Sequence, residues 1–385
     1  MTETQSPPRT GVLPSTVAVV NLDHLRHNAQ VLRDRAGSAD LMAVVKADAY
    51  GHGAVPVARA LHESGIRHFA VAILSEAIAL RQAGIDDEIL VFGAPLPEQL
   101  PAYQQYDLQV NVTSPDVARW VADAALSGRP LRTHVKVDTG MNRVGIHPEV
   151  AVDVIDRLNL TPGITIEGVW THLATADEPG NPFTLEQIAR FRSLLGRIRT
   201  RPRSVHLANS AGLLMVPESL RFDGRVLARP GIALYGLMID EDQIAANDLR
   251  PVMTLRTHVQ HLNVVQPGES VSYGRRWFAE EPSRVATVGS GYADGYPRLL
   301  TNRAEVGIAG VRRPVAGTVC MDMTMIYLGP ASEPSTVAVG DEVVLFGEGG
   351  PSATEVAGWA ETIPYEICCG VSPRVPRVYE DGQTS

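Results

Sequence analysis

From residue 41 onward, short apolar runs alternate with amphipathic stretches. The runs LMAVV (41–45), HFAVA (68–72), EILVF (88–92), DLQVNV (107–112), THVKV (133–137), ITIEGVW (164–170), SVHLA (204–208) and RVLARPGIALYG (225–236) predict eight strands. Between them SEAIALRQAG, SPDVARWVADAALSG, PEVAVDVIDRL and FTLEQIARFRSLLGRIRT predict helices, with Ser, Thr or Pro at their starts and Gly at their stops. Eight such units in about 200 residues suit a (β/α)8 barrel. A doubly wound open sheet is the alternative.

The pattern changes near residue 248. TLRTHVQHLNVV, RVATVGSG, AEVGIAG, VRRPVAGTV, MTMIYL and DEVVLFG predict short strands parted by Gly and Pro turns, and helical periodicity nearly vanishes. The expected organisation is therefore an N-terminal tail (1–14), a TIM barrel (15–248) and a mostly antiparallel β domain (249–385), joined near the polar stretch IDEDQIAANDLR. Segment 17–23, VAVVNLD, precedes the barrel units and is a candidate to pair with the C-terminal sheet.

Composition narrows the functional classes. A chain of 385 residues with 44% hydrophobic and 20% charged side chains can bury a large core. Its net charge of -9 argues against nucleic acid as a partner, while leaving room for a local basic site. Cys320, Cys368 and Cys369 are too few for a disulfide framework. The start has no apolar signal-peptide core, and no apolar run is long enough to span a bilayer, so the expected location is the cytoplasm, without a membrane partner.

Chemistry concentrates at the ends of the predicted strands. AVVKADAYGHG runs an apolar strand into Lys46 and then into a polar turn with Tyr50, His52 and Gly53. A lysine at a barrel mouth either snorkels to solvent or is desolvated, and desolvation frees the amine to form an imine with an aldehyde. KVDTGMNRVGI places Lys136 and Arg143 after another strand, and an arginine there can take a carboxylate in bidentate fashion. His172 closes a third strand. HLANSAG (His206, Asn209, Ser210) and ARPGIALYG (Arg229, Gly231, Ile232) follow the last two strands, where barrels often bind phosphate. The β domain offers Tyr273, Tyr292, Met321, Asp322 and Tyr365; a tyrosine there is also an ordinary core residue.

In this order and spacing, the segments resemble the alanine racemase family, fold-type III enzymes dependent on pyridoxal 5'-phosphate (PLP), from about residue 15 to residue 380. The resemblance implies that Lys46 carries PLP covalently. It implies phosphate contacts from Tyr50, Ser210, Gly231, Ile232 and Tyr365, with Asn209 beside them. Arg229, supported by His206, would face the pyridine nitrogen. Arg143 would lie near the cofactor phenolate and the substrate carboxylate, with Lys136 at a position often carbamylated in the family. Tyr273 would be the second base, and the Met321 N–H a carboxylate donor, both from the partner subunit of a homodimer. His172 would link Arg229 to Tyr273, with Tyr292 and Asp322 supporting the site; no metal is implied.

Racemisation removes a proton from one face of a planar centre and returns one to the other, so two bases are the minimum. Lys46 and Tyr273 fit that need. An arginine at the pyridine nitrogen cannot hand over a proton as a carboxylic acid can, and this disfavours a barrel-type PLP decarboxylase. The expected reaction is interconversion of L- and D-alanine, an isomerase activity that would supply D-alanine for peptidoglycan. A racemase of serine or of a broader range of amino acids is the alternative. A non-catalytic single-barrel PLP protein leaves the C-terminal domain and Tyr273 unexplained.

Overall fold

The computed structural model describes residues 15–382, and the tail expected over 1–14 lies outside them. Eight parallel strands, β2 (Asp40–Val44), β3 (His68–Val71), β4 (Glu88–Val91), β5 (Gln109–Val112), β6 (Leu131–Lys136), β7 (Ile164–Trp170), β8 (Ser204–His206) and β9 (Arg225–Ala228), close into a barrel. Closure is made where β2 pairs with β9, Asp40 opposite Leu227 and Leu41 opposite Ala228. That settles the choice between barrel and open sheet. Helices Pro115–Ser127 and Pro148–Leu160 bury one face each against the strands, the first capped by Ser114, whose hydroxyl accepts the Val117 N–H.

The first strand, β1 (Val17–Asn21), belongs to the other sheet. It lies antiparallel to β10 (Met253–Val265) and parallel to the last strand, Arg377–Glu380. The pairing foreseen for segment 17–23 is thus present. The thirteen-residue β10 also carries two antiparallel neighbours, Glu342–Phe346 and Ser283–Val288, with a register shift between Val259 and His261. Such an irregularity bends a long strand so that it serves both halves of a twisted sheet.

Three expectations fail locally. RVLARPGIALYG is not one strand: β9 stops at Ala228, Pro230 has no N–H for a ladder, and Ile232–Tyr235 forms a 3-10 turn. DLQVNV loses its first two residues, because Asp107 adopts a left-handed conformation (φ 47°) before β5 begins. Helices also persist beyond residue 248, as Ala353–Trp359 and Pro364–Cys369. The first begins with a reciprocal cap in which Ser352 and Glu355 satisfy each other's backbone N–H, the S-x-x-E pattern of a helix start.

Candidate active site

The segment after β2 sets the site. Lys46 follows Val44 and Val45 directly, and the chain then makes a left-handed turn in which Ala47, Asp48, Ala49 and Tyr50 all have φ between 52° and 55°. Four consecutive L-residues in this region are costly, because each Cβ crowds a carbonyl, at about 1–2 kcal/mol per residue. The turn persists because its polar groups are taken up from outside. Glu76 accepts the Ala47 N–H at 2.6 Å and the Ala72 N–H at 2.8 Å, and the Asp48 carboxylate accepts the Ala54 N–H at 2.7 Å. From the second domain Arg377 donates to Gly51 O at 2.9 Å. The Cys368 carbonyl presses on Gly51 so closely that a Cβ there would lie 2.2 Å from it.

The turn delivers Lys46 and Tyr50 to a cavity of about 590 Å³ at the C-terminal mouth of the barrel. Lys136, at the end of β6, shares it, together with Arg143 and His172 from the loops after β6 and β7. Asn209, Ser210, Arg229, Gly231, Ile232 and, from the second domain, Tyr365 complete the convergence of predicted residues. His206 lies just beneath, buried against Arg229. Tyr273, Tyr292, Met321 and Asp322 do not line the cavity. They form an exposed group on the second domain, with Tyr273 74% and Met321 52% exposed. Their backbones are tied together: Thr318 Oγ1 donates to Tyr273 O, the Tyr292 N–H to Cys320 O and the Ala293 N–H to Met321 O. Arg374 bridges Asp322 (2.8 Å) to the buried Asp294 (2.7 Å).

One wall of the cavity is built to take an anion. Ser210 Oγ accepts the N–H groups of Gly231 (3.0 Å) and Ala233 (3.2 Å), so its own hydroxyl proton is free to point into the cavity. The Tyr50 hydroxyl lies so near Gly231 that a Cβ on that residue would stand 2.4 Å from it. Tyr50 cannot swing away easily, because its ring packs 5.0 Å from Tyr235 and 6.0 Å from Tyr365. Burial raises both phenols above their ordinary range, Tyr365 to about 12, so they meet a ligand as neutral donors.

The floor is cationic. Arg229 is 3% exposed, and its guanidinium donates to His206 Nδ1 (2.9 Å), Thr171 O (2.9 Å) and Leu207 O (3.0 Å), with His172 Nδ1 at 3.3 Å. Burial lowers its pKa to about 9 with no carboxylate offsetting it. Lys136 sits 4.4 Å over the Trp170 ring, and Arg229 4.7 Å from the same ring. Burial, then Arg143 and Arg229, lowers the Lys136 amine to about 7. Burial and then Arg143 also lower Lys46, which favours the unprotonated, nucleophilic amine. His172 is held well below its ordinary value by burial and by Arg229.

Trp170 escaped the sequence reading, although it ends β7 and contacts both cations; its indole N–H donates to Asn111 Oδ1 at 3.0 Å. The signal available was its place two residues before His172, on the same face of an extended segment. Among the described residues, no helix is long and apolar enough to cross a membrane, and no group of His, Cys, Asp and Glu side chains could hold a metal ion.

Comparison with known proteins agrees with this geometry. Residues 20–238 match the model of the alanine racemase N-terminal domain, and residues 252–379 that of the C-terminal domain. The chain belongs to the alanine racemase family. The alanine racemase of Geobacter sulfurreducens is 44% identical over 376 residues, covering 94% of this chain and 97% of the relative. That of Halothermothrix orenii is 41% identical over 371 residues, covering 95% and 97%. Among solved structures, alanine racemase from a D-cycloserine-producing Streptomyces lavendulae superposes with a TM-score of 0.90 at 37% identity, covering 96% of this chain and 98% of that one. The biosynthetic alanine racemase of Pseudomonas aeruginosa gives 0.88 at 37% identity, covering 96% and 100%. Family membership accounts for the two-domain layout and leaves serine racemisation and decarboxylation without support.

Proposed function

We propose that this protein racemises alanine with PLP attached to Lys46, in a homodimer whose subunits complete each other's sites. The observation that carries the reading is the meeting, in one cavity, of a desolvated lysine, an anion cradle and a buried arginine without a carboxylate partner. The residues present fit PLP. Ser210, Tyr50, Tyr365 and the backbone at Gly231 and Ile232 would hold its phosphate, with Asn209 shaping the loop by accepting the Gly212 N–H at 2.8 Å. Arg229 would face the ring nitrogen, and Arg143 the phenolate and the substrate carboxylate. When bound, the cofactor supplies an aldehyde for covalent attachment and an electron-withdrawing ring that acidifies the α-proton of an amino acid.

The chain's own residues then do the proton work. Lys46, with its pKa lowered, accepts or returns the α-proton on one face. Arg229 would offer the ring nitrogen a hydrogen bond without handing over a proton, so the cofactor held there would stabilise negative charge at the α-carbon only moderately. Fast return of a proton is thereby favoured over side reactions. The other face requires a second base, and the tyrosine that the family resemblance assigns to it, Tyr273, lies outside the cavity that Lys46 occupies. A second copy would supply it, together with the Met321 N–H for the substrate carboxylate. The exposed group of Tyr273, Met321, Met323 and Tyr292 is the apolar surface that such a dimer would cover. Tyr292 and Tyr365 would narrow the pocket toward a small side chain, with Asp322 anchoring the Met321 loop through Arg374. The reading favours a cytoplasmic enzyme supplying D-alanine for peptidoglycan.

Mixing inactive chains tests this. In a dimer of Lys46→Ala with Tyr273→Phe, one site combines the intact Lys46 of one chain with the intact Tyr273 of the other. Random reassociation of an equal mixture should restore about a quarter of wild-type racemisation, as isologous pairing requires. No recovery, with dimers formed, would show that both bases come from one chain and refute the shared site.

A further inference from the structure

Behind Arg229 the barrel holds a file of buried polar side chains that touch neither the cavity nor solvent. His206, His134 and Gln109, on β8, β6 and β5, are each 1% exposed or less. Arg229 lies 2.9 Å from His206 Nδ1, His206 Nε2 lies 2.9 Å from His134 Nδ1, and His134 Nε2 lies 2.9 Å from Gln109 Oε1. Gln109 Nε2 then donates to Glu88 Oε2 at 3.0 Å. Glu88, at the N-terminal end of β4, is held in turn by Arg132 at 2.6 Å and His68 at 2.9 Å.

Both ends of the file impose the same direction, a guanidinium that only donates at one and a carboxylate that only accepts at the other. A guanidinium only donates, so His206 must present a lone pair at Nδ1 and carry its proton on Nε2. That proton needs an acceptor at His134 Nδ1, which puts the His134 proton on Nε2, facing the Gln109 carbonyl. The amide is thereby turned so that its NH2 meets the Glu88 carboxylate. A one-way chain of donors thus runs from a buried cation at the cavity floor to an anion at the far end of the barrel. Burial keeps both imidazoles neutral: His206 titrates well below its ordinary value, with Arg229 the next cause, and His134 is pushed down to about 3. Trp170 stacks on His206 at 5.3 Å and nearly parallel, so the ring cannot rotate freely.

We propose that His134 and Gln109 are positioning residues: they hold His206 in its Nε2–H form, so that its Nδ1 lone pair fixes the Arg229 guanidinium at the cavity floor. The kinetic consequence rests on the racemase reading; the tautomers rest on hydrogen-bond geometry alone. In the other tautomer, an Nδ1–H would face an Arg229 N–H at 2.9 Å, and the guanidinium would have to turn away. Asparagine at 134 keeps an acceptor close to the place of Nδ1, whereas leucine removes it.

Full-length protein labelled with 15N-histidine, with and without PLP, tests this by long-range 15N–1H correlation, the signals being assigned with His134→Asn and His206→Asn. The wild type should show both rings as neutral Nε2–H forms that do not titrate between about pH 5.5 and 8.5. His134→Leu should release the His206 tautomer and lower kcat about tenfold, with KM for L-alanine within about twofold. His134→Asn should keep the His206 tautomer and a kcat within about threefold of wild type. Either wild-type ring found as Nδ1–H, or titrating in that range, overturns the proposal, as does His134→Leu with a released tautomer and unchanged kcat. Should His134→Leu not fold, Gln109→Leu reads the same release at His134. Expected tautomers in a wild type that does not racemise alanine would sink the functional reading and leave the hydrogen-bond assignment standing.

Discussion

Replacing Gly231 by alanine tests the phosphate cradle proposed for Tyr50, Ser210 and Gly231. The added methyl would stand 2.4 Å from the Tyr50 hydroxyl oxygen and 3.1 Å from its ring carbon Cζ, while the Gly231 N–H to Ser210 is kept. Tyr50 is 7% exposed and flanked by Tyr235 and Tyr365, so the clash is met by strain or by displacement of the hydroxyl. Overpacking of this kind costs about 1–3 kcal/mol, which is roughly 5- to 150-fold in cofactor affinity if the strain is relieved only when Tyr50 gives up its ligand contact. Titrating cofactor-free protein with PLP and following the visible absorbance of the lysine-bound form gives that affinity. Tyr50→Phe removes the oxygen and leaves the ring carbon Cζ as the nearest contact at 3.1 Å, so Gly231→Ala in that background should cost less than about threefold. A twofold loss or smaller in the single variant, or strict multiplication of the two single losses in the double variant, would refute the reasoning.

Four further outcomes are expected. Lys46→Ala should bind PLP without the visible absorbance of a lysine-linked cofactor; retained absorbance would place the attachment elsewhere. Tyr273→Phe should slow α-proton exchange with deuterated solvent more from one alanine enantiomer than from the other, and equal small effects would count against a one-face base. Lys136, lowered to about 7, is largely unprotonated above that pH, the form whose nitrogen adds CO2 and releases a proton. A carbamate signal should therefore grow in 13C spectra with labelled bicarbonate from pH 7 to 8.5, and be absent in Lys136→Ala. His52, fully buried, is lowered to about 4 by burial, so the unfolded chain gains a proton as pH falls below about 6.5 while the folded chain does not until about 4. Stability should fall through that window by roughly 3 kcal/mol from this group. The fall in urea midpoint between pH 7 and 4.5 should be shallower in His52→Asn, and an unchanged midpoint in wild type would contradict the assignment.

The barrel was legible because strands buried on both faces read as apolar runs, and the runs at 41–45, 68–72, 88–92 and 204–208 all fall on barrel strands. So was the mouth, since chemistry sits at strand ends: Lys46, Lys136 and His172 follow or end their strands. Conformation was less visible. Ala47, Asp48, Ala49 and Tyr50 carry no glycine to announce left-handed backbone; their turn is imposed by Glu76 and by the C-terminal segment, partners remote in sequence. Nor could spacing reveal that His206, His134 and Gln109 meet, because their register depends on closure of the barrel. The Ser352–Glu355 cap was readable and passed over, since its helix is only seven residues long.

The clamp on the Lys46 turn has a consequence for the life history of the chain. Arg377, which holds Gly51 O, stands 326 positions further on, and Tyr379 donates to His52 O across 327. During synthesis the barrel strands emerge long before these residues do, so the turn that bears the reactive amine is braced only when the last strand docks beside the first. The brace is therefore a late event in synthesis, and a chain cut short before Arg377 carries Lys46 without the contacts that hold its turn in shape.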